Sequence, residues 1–397
     1  MRLIKEMFLI VVKGSPLYYL WLMFLFALIA LAGYLEFNQL SQGLLVTNLS
    51  NNYPAGFYIA NFVFMIGIAA GAVTLVYPTY IYKMKSAGEV VIFGELLAIC
   101  ALIIAVCFIL VDMGHPERLL HIMPFIGTIN LPSSLLAWDV VVVTGYLLIN
   151  LFCVLYFIIH RYRQTHPNKK LYLPIKYIAI VWAISIHTCT AFLFSGLIAR
   201  PFWNHPLVAP KFLATAVTSG PALLILLLIV LEKRLKVPVK EEIYKMLSAT
   251  VFYGLVAVTI MILSEFFVEM YSGAQHNMHA VYQWFGVHGF HQIALFSWVA
   301  SMTLLVSMVL MMFPRVRQNR KLLVPICIAV VAAVLIDKGV LFIFPAYIPN
   351  PLGEWQEYAP NAHEIGLVLG VYALGALIYT WGSRLISAVY QGTLTKS

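Results

Sequence analysis

The chain has 397 residues, 62% of them hydrophobic and only 10% charged, with a formal net charge of +9. Soluble domains carry roughly 25% charged residues, so a water-soluble fold could not hide this much apolar surface; a bilayer can, because it asks only that each helix satisfy its own backbone polar groups. The positive charge does not describe a nucleic-acid binder either, because the basic residues sit in short loops between apolar runs and form no basic domain.

Residues 1–16 are charged and too short of apolar length to span a membrane. No small-residue cleavage site follows, so we expect an interfacial amphipathic helix here and no signal peptide. A spanning helix needs about 20 apolar residues. Such runs predict helices at 17–36, 57–82, 89–113, 134–159, 173–199, 211–231, 246–271, 288–313, 322–344 and 362–384. Gly220 and Pro221 interrupt the sixth. The expected fold is therefore all-α, a polytopic transmembrane helix bundle of about ten spans.

Charge orients the spans. All but four of the 25 Lys and Arg residues fall on one side. They precede helix one (Arg2, Lys5, Lys13) or follow the even-numbered helices, as do Lys83 and Lys85, the set from Arg161 to Lys176, the set from Lys233 to Lys245, the set from Arg315 to Lys321, and Arg384 with Lys396. The exceptions are Arg118, Arg200, Lys211 and Lys338. This bias predicts a cytoplasmic membrane location with both termini cytoplasmic. The opposite loops, near 38–56, 114–133, 200–210, 272–287 and 345–361, hold Pro, Asn, His and aromatics. They either cap the helices or form a docking surface for an outside partner.

Ionisable groups inside spans are costly and mark candidate functional sites. They crowd the outer ends: Glu36, Asp112, His115, Glu117, Arg118, Asp139, Arg200, Glu265, Glu269, His288, His291, Asp337, Lys338, His363 and Glu364. Helix-end groups such as Glu36, Glu117, His363 and Glu364 have a simpler reading, since they can face water. The inner half of the spans holds essentially one acid, Glu95, and His187 lies near mid-depth of helix five. Asp337 and Lys338 are adjacent, so they point about 100° apart and need not pair.

The densest feature is Asp112-Met-Gly-His-Pro-Glu-Arg118, where Gly114 and Pro116 break helix three. A loop framed by Pro124 and Pro132 follows, and Ser133-Ser-Leu-Leu-Ala-Trp-Asp139 opens helix four. The helix dipole favours a carboxylate at Asp139. Glu265 and Glu269 share one face of helix seven. His276/His279 and His288/His291 raise the question of haem or metal, but they lie in or beside an outer loop and His187 has no mate at its depth. No C-x-x-C pair occurs among Cys100, Cys107, Cys153, Cys189 and Cys327. We therefore expect no metal, haem or iron–sulfur cluster in the chain, with the cysteines acting as small buried hydrophobes.

Four of these segments, in this order, resemble signatures of the NrfD/PsrC superfamily. Asn61-Phe-Val-Phe-Met-Ile-Gly-Ile-Ala-Ala-Gly-Ala72 is similar to its helix-two motif, Asp112–Pro116 to its H-x-G-R-P turn, Ser133–Asp139 to its S-P-L-x-W-D helix start, and Glu265–Gly273 to its E-Y-F-x-x-W-Y-S-G helix end. The ten-helix plan and the Asp112–Arg118 wording are most similar to the DsrP branch, the membrane subunits of sulfite-reduction-linked complexes. This chain has His115 where other members carry Arg before the proline, with Arg118 two residues after it.

The resemblance implies an integral subunit without redox centres of its own that binds a quinone, expected to be menaquinone, near the outer face. It implies electron exchange with an external ferredoxin-like iron–sulfur subunit, beside a membrane cytochrome b subunit and a multihaem cytochrome c. It also supports an internal repeat: two parallel four-helix bundles, at 57–199 and 200–344, with flanking segments 1–56 and 345–397, in a single integral membrane domain. On this reading Asp112 and His115 are the proton partners of the headgroup. Asn61, Arg118, Trp138 and Asp139 line its pocket, and Glu95, His187, Glu265, Glu269, Asp337 and Lys338 form a proton pathway. The competing readings are a secondary transporter, which intramembrane acids and paired bundles suit equally, and a structural anchor, which leaves Glu95 and Lys338 unexplained.

Overall fold

A computed structural model describes residues 2–71, 73–80, 84–88, 90–122, 125–165, 167–271, 278–350 and 352–394. Ala72, Lys83, Pro124, Gly273, His276 and Lys396, named above, lie outside the described residues. Among those described there is helix and no strand, apart from a single bridge between Val287 and Phe290. Among the described residues ten helices are long and apolar enough to cross a membrane: spans one to ten are Pro16–Gln42, Phe57–Tyr80, Val91–Asp112, Leu135–Tyr162, Lys169–Ser195, Val208–Leu235, Glu241–Tyr271, Gln292–Met312, Arg320–Tyr347 and Ala362–Tyr390. A leading helix, Arg2–Val12, precedes them and exposes Phe8 and Val12.

Most spans run past the apolar stretches that betray them, because a helix continues into headgroup depth where polar residues are tolerated. Several of them start on side-chain caps that replace missing intrahelical acceptors. Ser15 accepts from the Tyr18 N–H, Ser134 from Ala137 and Asn168 from Lys170, while Asn361 and Glu364 form a reciprocal capping box. Span six is continuous through Pro221, and neighbouring Gly220 has a packing use described below.

Spans two, three, four and five pack in a closed ring, and spans six, seven, eight and nine in a second. The rings meet along a seam where span two touches six and nine, and span five touches six. Spans one and ten pair with each other, and ten lies against span three. Burial follows this plan: the apolar window of span two is 82% buried and that of span one 11%, so span two is central and span one peripheral. At the seam, a Cβ on Gly71 would stand 2.4 Å from the Cα of Gly220, so the two backbones touch as only glycines permit.

One expectation needs correction. Lys176, grouped above with the loop cations after span four, lies inside span five and is fully buried. A buried partner draws it in. Its ammonium is bonded to the carboxylate of Glu95 in span three and faces the rings of Tyr172 and Tyr80, at 4.7 and 5.5 Å.

Candidate functional site at the seam between the two rings

Span three ends at Asp112, and Gly114, at a φ of +66°, turns the chain away. The turn sends neighbouring residues to opposite sides. His115 and Glu117 bond to each other at 2.9 Å with side chains 65% exposed, and Arg118 is exposed too. The Glu117 backbone N–H, and then the His115 ring, hold the Glu117 carboxyl below its usual range. Asp112 points inward. Beside it Gln39 donates to the Val111 carbonyl at 2.7 Å and accepts from the Tyr58 hydroxyl at 3.1 Å. Asp112 and Glu36 each keep a buried carboxylate oxygen without a hydrogen-bond partner among the described residues. The structure thus separates Asp112 from His115.

The expected pocket residues are also dispersed. Asn61 is buried, donating to the Phe57 carbonyl at 2.7 Å and accepting from Tyr372 of span ten at 2.7 Å. Asp139 accepts from Thr190 at 2.6 Å and ties span four to span five. Trp138 is partly exposed and donates to the Pro132 carbonyl at 2.9 Å.

Most of the expected pathway residues converge, and they do so at the seam. In span nine the helix widens into a π turn over Leu335–Val340, which brings Asp337 and Lys338 inside; such turns recur at functional positions. The two side chains take different partners. The Lys338 ammonium donates to the Phe212 carbonyl at 3.3 Å and lies 4.5 Å above the Phe212 ring. Gly67 of span two makes room for it, since a Cβ there would stand 2.9 Å from the Lys338 Nζ. Asp337 lies 3.5 Å from the Lys211 ammonium, which bonds Glu265 at 2.7 Å. Two cations and two anions balance, as buried charge requires. His187, fully buried and within electrostatic reach of Lys338, has no hydrogen-bond partner among the described residues on either ring nitrogen. Glu269 is half-buried one turn beyond Glu265. Glu95 is not part of this group.

A cavity of about 400 Å³ opens at the end of the seam away from the basic loops. Arg200, Trp203, Tyr347 and Pro54 line it, with exposed Leu197 and Ile198 at its rim. The Arg200 guanidinium lies 4.6 Å above the Tyr347 ring. From the cavity an aromatic column descends. Trp203 donates to the Phe342 carbonyl at 2.7 Å and packs on Phe194 at 5.1 Å; Phe342 meets Phe212 at 4.9 Å, and Lys338 lies over Phe212. Arg200 and Lys211 carry a sequence signal of their own, since both break the one-sided distribution of basic residues. Nothing in the sequence singles out Tyr347, and Lys176 looks like an ordinary loop cation.

Among the described residues no three His, Cys, Asp or Glu side chains lie close enough to hold a metal. His279 is engaged with the Pro345 carbonyl at 3.0 Å, and His288 packs on Trp355 at 5.4 Å.

The family model of polysulphide reductase NrfD matches residues 45–348, and the chain belongs to the NrfD family. The matched stretch takes in spans two to nine, the two rings, and leaves the flanking spans one and ten outside. The chain is similar to a selenate reductase subunit of Mesobacillus selenatarsenatis, 22% identical over 405 aligned residues that cover 90% of this chain and 92% of that protein. It is also similar to the Hdr-like menaquinol oxidoreductase integral membrane subunit of Archaeoglobus fulgidus, 24% identical over 214 residues, 54% of this chain and 51% of that one.

Proposed function

We propose that this multi-pass NrfD-family chain is the quinone-reactive membrane subunit of a respiratory reductase complex, with the quinone headgroup seated at the Arg200 end of the seam. The observation that carries the reading is the set of buried ionisable groups at the seam, Lys338, Asp337, Lys211 and Glu265 with the buried His187, joined by an aromatic column to a cavity that opens at one face. Quinone reduction takes up two electrons and two protons, and oxidation of the quinol releases them. The electrons need a redox centre outside this chain, supplied by an iron–sulfur subunit docked on the face away from the basic loops. The protons need titratable groups within the bundle, which the seam supplies. Arg200 has the charge and reach to donate to a headgroup oxygen. Trp203 and Tyr347 offer flat walls, and Leu197 and Ile198 lead an isoprenoid tail towards lipid.

The name of the archaeal relative supports menaquinone as the quinone. The finer assignments rest on the sequence: the basic face towards the cytoplasm, a cytochrome b subunit and a multihaem cytochrome c as further partners, and a place in dissimilatory sulfur metabolism. On this reading Asp112 and its acidic neighbours are a secondary proton reservoir. Movement of protons across the membrane would require a link from the seam to Glu95. A secondary transporter would use the same buried charges, and copurification separates the two: a transporter isolates alone and binds a solute, whereas this subunit isolates with iron–sulfur protein.

The test is quinol-dependent turnover of the assembled complex carrying Lys338→Met or Arg200→Ala. Losing a preorganised charged donor costs about 100-fold in rate, so turnover should fall by about that factor while the complex still assembles. Wild-type turnover in both variants would remove the seam from the reaction.

A further inference from the structure

A second cavity, of about 590 Å³, lies at the opposite end of the molecule, among the basic loops. It forms where the end of the leading helix meets the last turns of spans six and ten. Its lining includes Lys13, Arg234, Lys236 and Arg384, with Gln391 and Thr393 as neutral polar groups, and none of the described lining residues is acidic. Four cations around one cavity repel each other, and such a cluster persists where a counter-anion completes it.

Arg384 is already committed. It donates to the Ile10 carbonyl at 3.0 Å and to the Lys13 carbonyl, and lies 4.1 Å over the Tyr18 ring, so it bolts the leading helix to span ten. Ser387 and Gln391 take up the Leu235 carbonyl that ends span six, at 3.4 and 2.7 Å. The negative end of that helix is thereby quenched at the cavity wall. Lys13, Arg234 and Lys236 are exposed, and no described acid is paired with them. Lys236 sits at φ +54°, a left-handed helix-end position that glycine occupies at less strain. A lysine there projects a charge at the rim of the cavity, where glycine would leave none.

The setting selects the anion. The cavity lies at the ends of membrane spans, at headgroup depth. Leu9 and Leu235 are part of its wall, and the exposed apolar residues Leu17 and Leu20 begin span one beside it. A phosphate held by the cations would carry acyl chains that lie along span one. We propose that this cavity is a binding site for an anionic phospholipid, its phosphate held by Lys13, Arg234 and Lys236. The lipid would pin the leading helix to the bundle. This proposal does not depend on the quinone reading.

The test uses the full chain, purified and exchanged into nanodiscs or mild detergent with defined lipid, and native mass spectrometry to count retained lipid. Cardiolipin or phosphatidylglycerol should be retained about tenfold more strongly than phosphatidylcholine. The triple variant Lys13→Gln/Arg234→Gln/Lys236→Gln should abolish that preference. A control, Arg163→Gln/Lys169→Gln/Lys170→Gln, removes the same charge from the same face outside the cavity and should keep it. The substituted side chains are exposed, so both variants should fold, and Arg384 is left intact to hold the leading helix. Equal loss in both variants would mean that the face binds anionic lipid by smeared charge and would overturn the site. Retention unchanged in the cavity variant would overturn it too. Full displacement of the lipid by millimolar inorganic phosphate would identify a soluble anion as the occupant and reject the phospholipid.

Discussion

Two regions of this protein bury charge inside the bundle, and they do so differently. Near the basic face Glu95 and Lys176 form a closed pair of two groups walled by Tyr80 and Tyr172. At the seam Lys211, Glu265, Asp337 and Lys338 form a larger balanced set beside a histidine with no partner among the described residues, and an aromatic column connects it to an open cavity. Each region leaves one carboxylate oxygen without a partner among the described residues, on Glu95 and on Asp337. Access and spare titratable groups set the regions apart, and burial of charge does not. A sealed pair can lock helices three and five together; a set with a spare proton acceptor and a way in can exchange protons with a ligand. Cost alone, which makes Glu95 conspicuous in the sequence, does not separate a lock from a site.

The comparison can be broken most sharply at the lock. Glu95→Gln strands the Lys176 ammonium in an apolar interior, and breaking a buried pair on one side costs about 3–5 kcal/mol. The variant should accumulate poorly and melt early in detergent. Glu95→Gln combined with Lys176→Met removes both charges and should restore much of that stability, because a neutral isosteric pair has little to desolvate. Turnover near wild type in the double variant would confirm a lock. Lost turnover in a well-folded double variant would make Glu95 part of the proton route after all.

A smaller effect, of opposite sign, is expected at His187. A buried polar group without a hydrogen bond costs about 1–3 kcal/mol, so His187→Leu should raise thermal stability by an amount in that range. At the same time quinol turnover should fall by about tenfold or more, since a positioned proton acceptor is worth at least that. Stability and activity moving together would place His187 in the packing alone. The smallest effect belongs to His115. Its side chain is largely in water and pairs with Glu117, so His115→Ala should leave turnover within about twofold and stability within about 0.5 kcal/mol. A large loss of turnover would return the headgroup to the Asp112–Arg118 turn and away from the seam.

Much of the site is legible in the sequence, though not as a site. His187, Glu265, Asp337 and Lys338 stand out because ionisable residues are rare in spans, and the structure gathers all four. Their grouping is hidden because they come from spans five, seven and nine. Arg200 and Lys211 are visible as exceptions to the charge bias, and with Lys338 three of the four exceptions end at the seam or its mouth. Asp112 and His115 look like partners because only three positions separate them. The left-handed backbone at Gly114 turns that closeness into separation, with a carboxylate oxygen of Asp112 buried and His115 in water.

The sequence by itself determined the membrane spans, their alternating sense and the concentration of ionisable groups towards one face. Each of these is a local quantity: a run of apolar residues long enough to cross, or the charge of a short loop. It also determined that Asp337 and Lys338 need not pair, since helical geometry fixes the angle between neighbours. Only the tertiary structure decided that Lys176 is buried against Glu95, that the π turn of span nine aims Lys338 at Gly67, and that the backbones of spans two and six touch at Gly71 and Gly220. These depend on which apolar faces meet. In a chain whose helices are apolar all round, periodicity does not mark the inward face; close packing of small residues and the pairing of buried charges choose it.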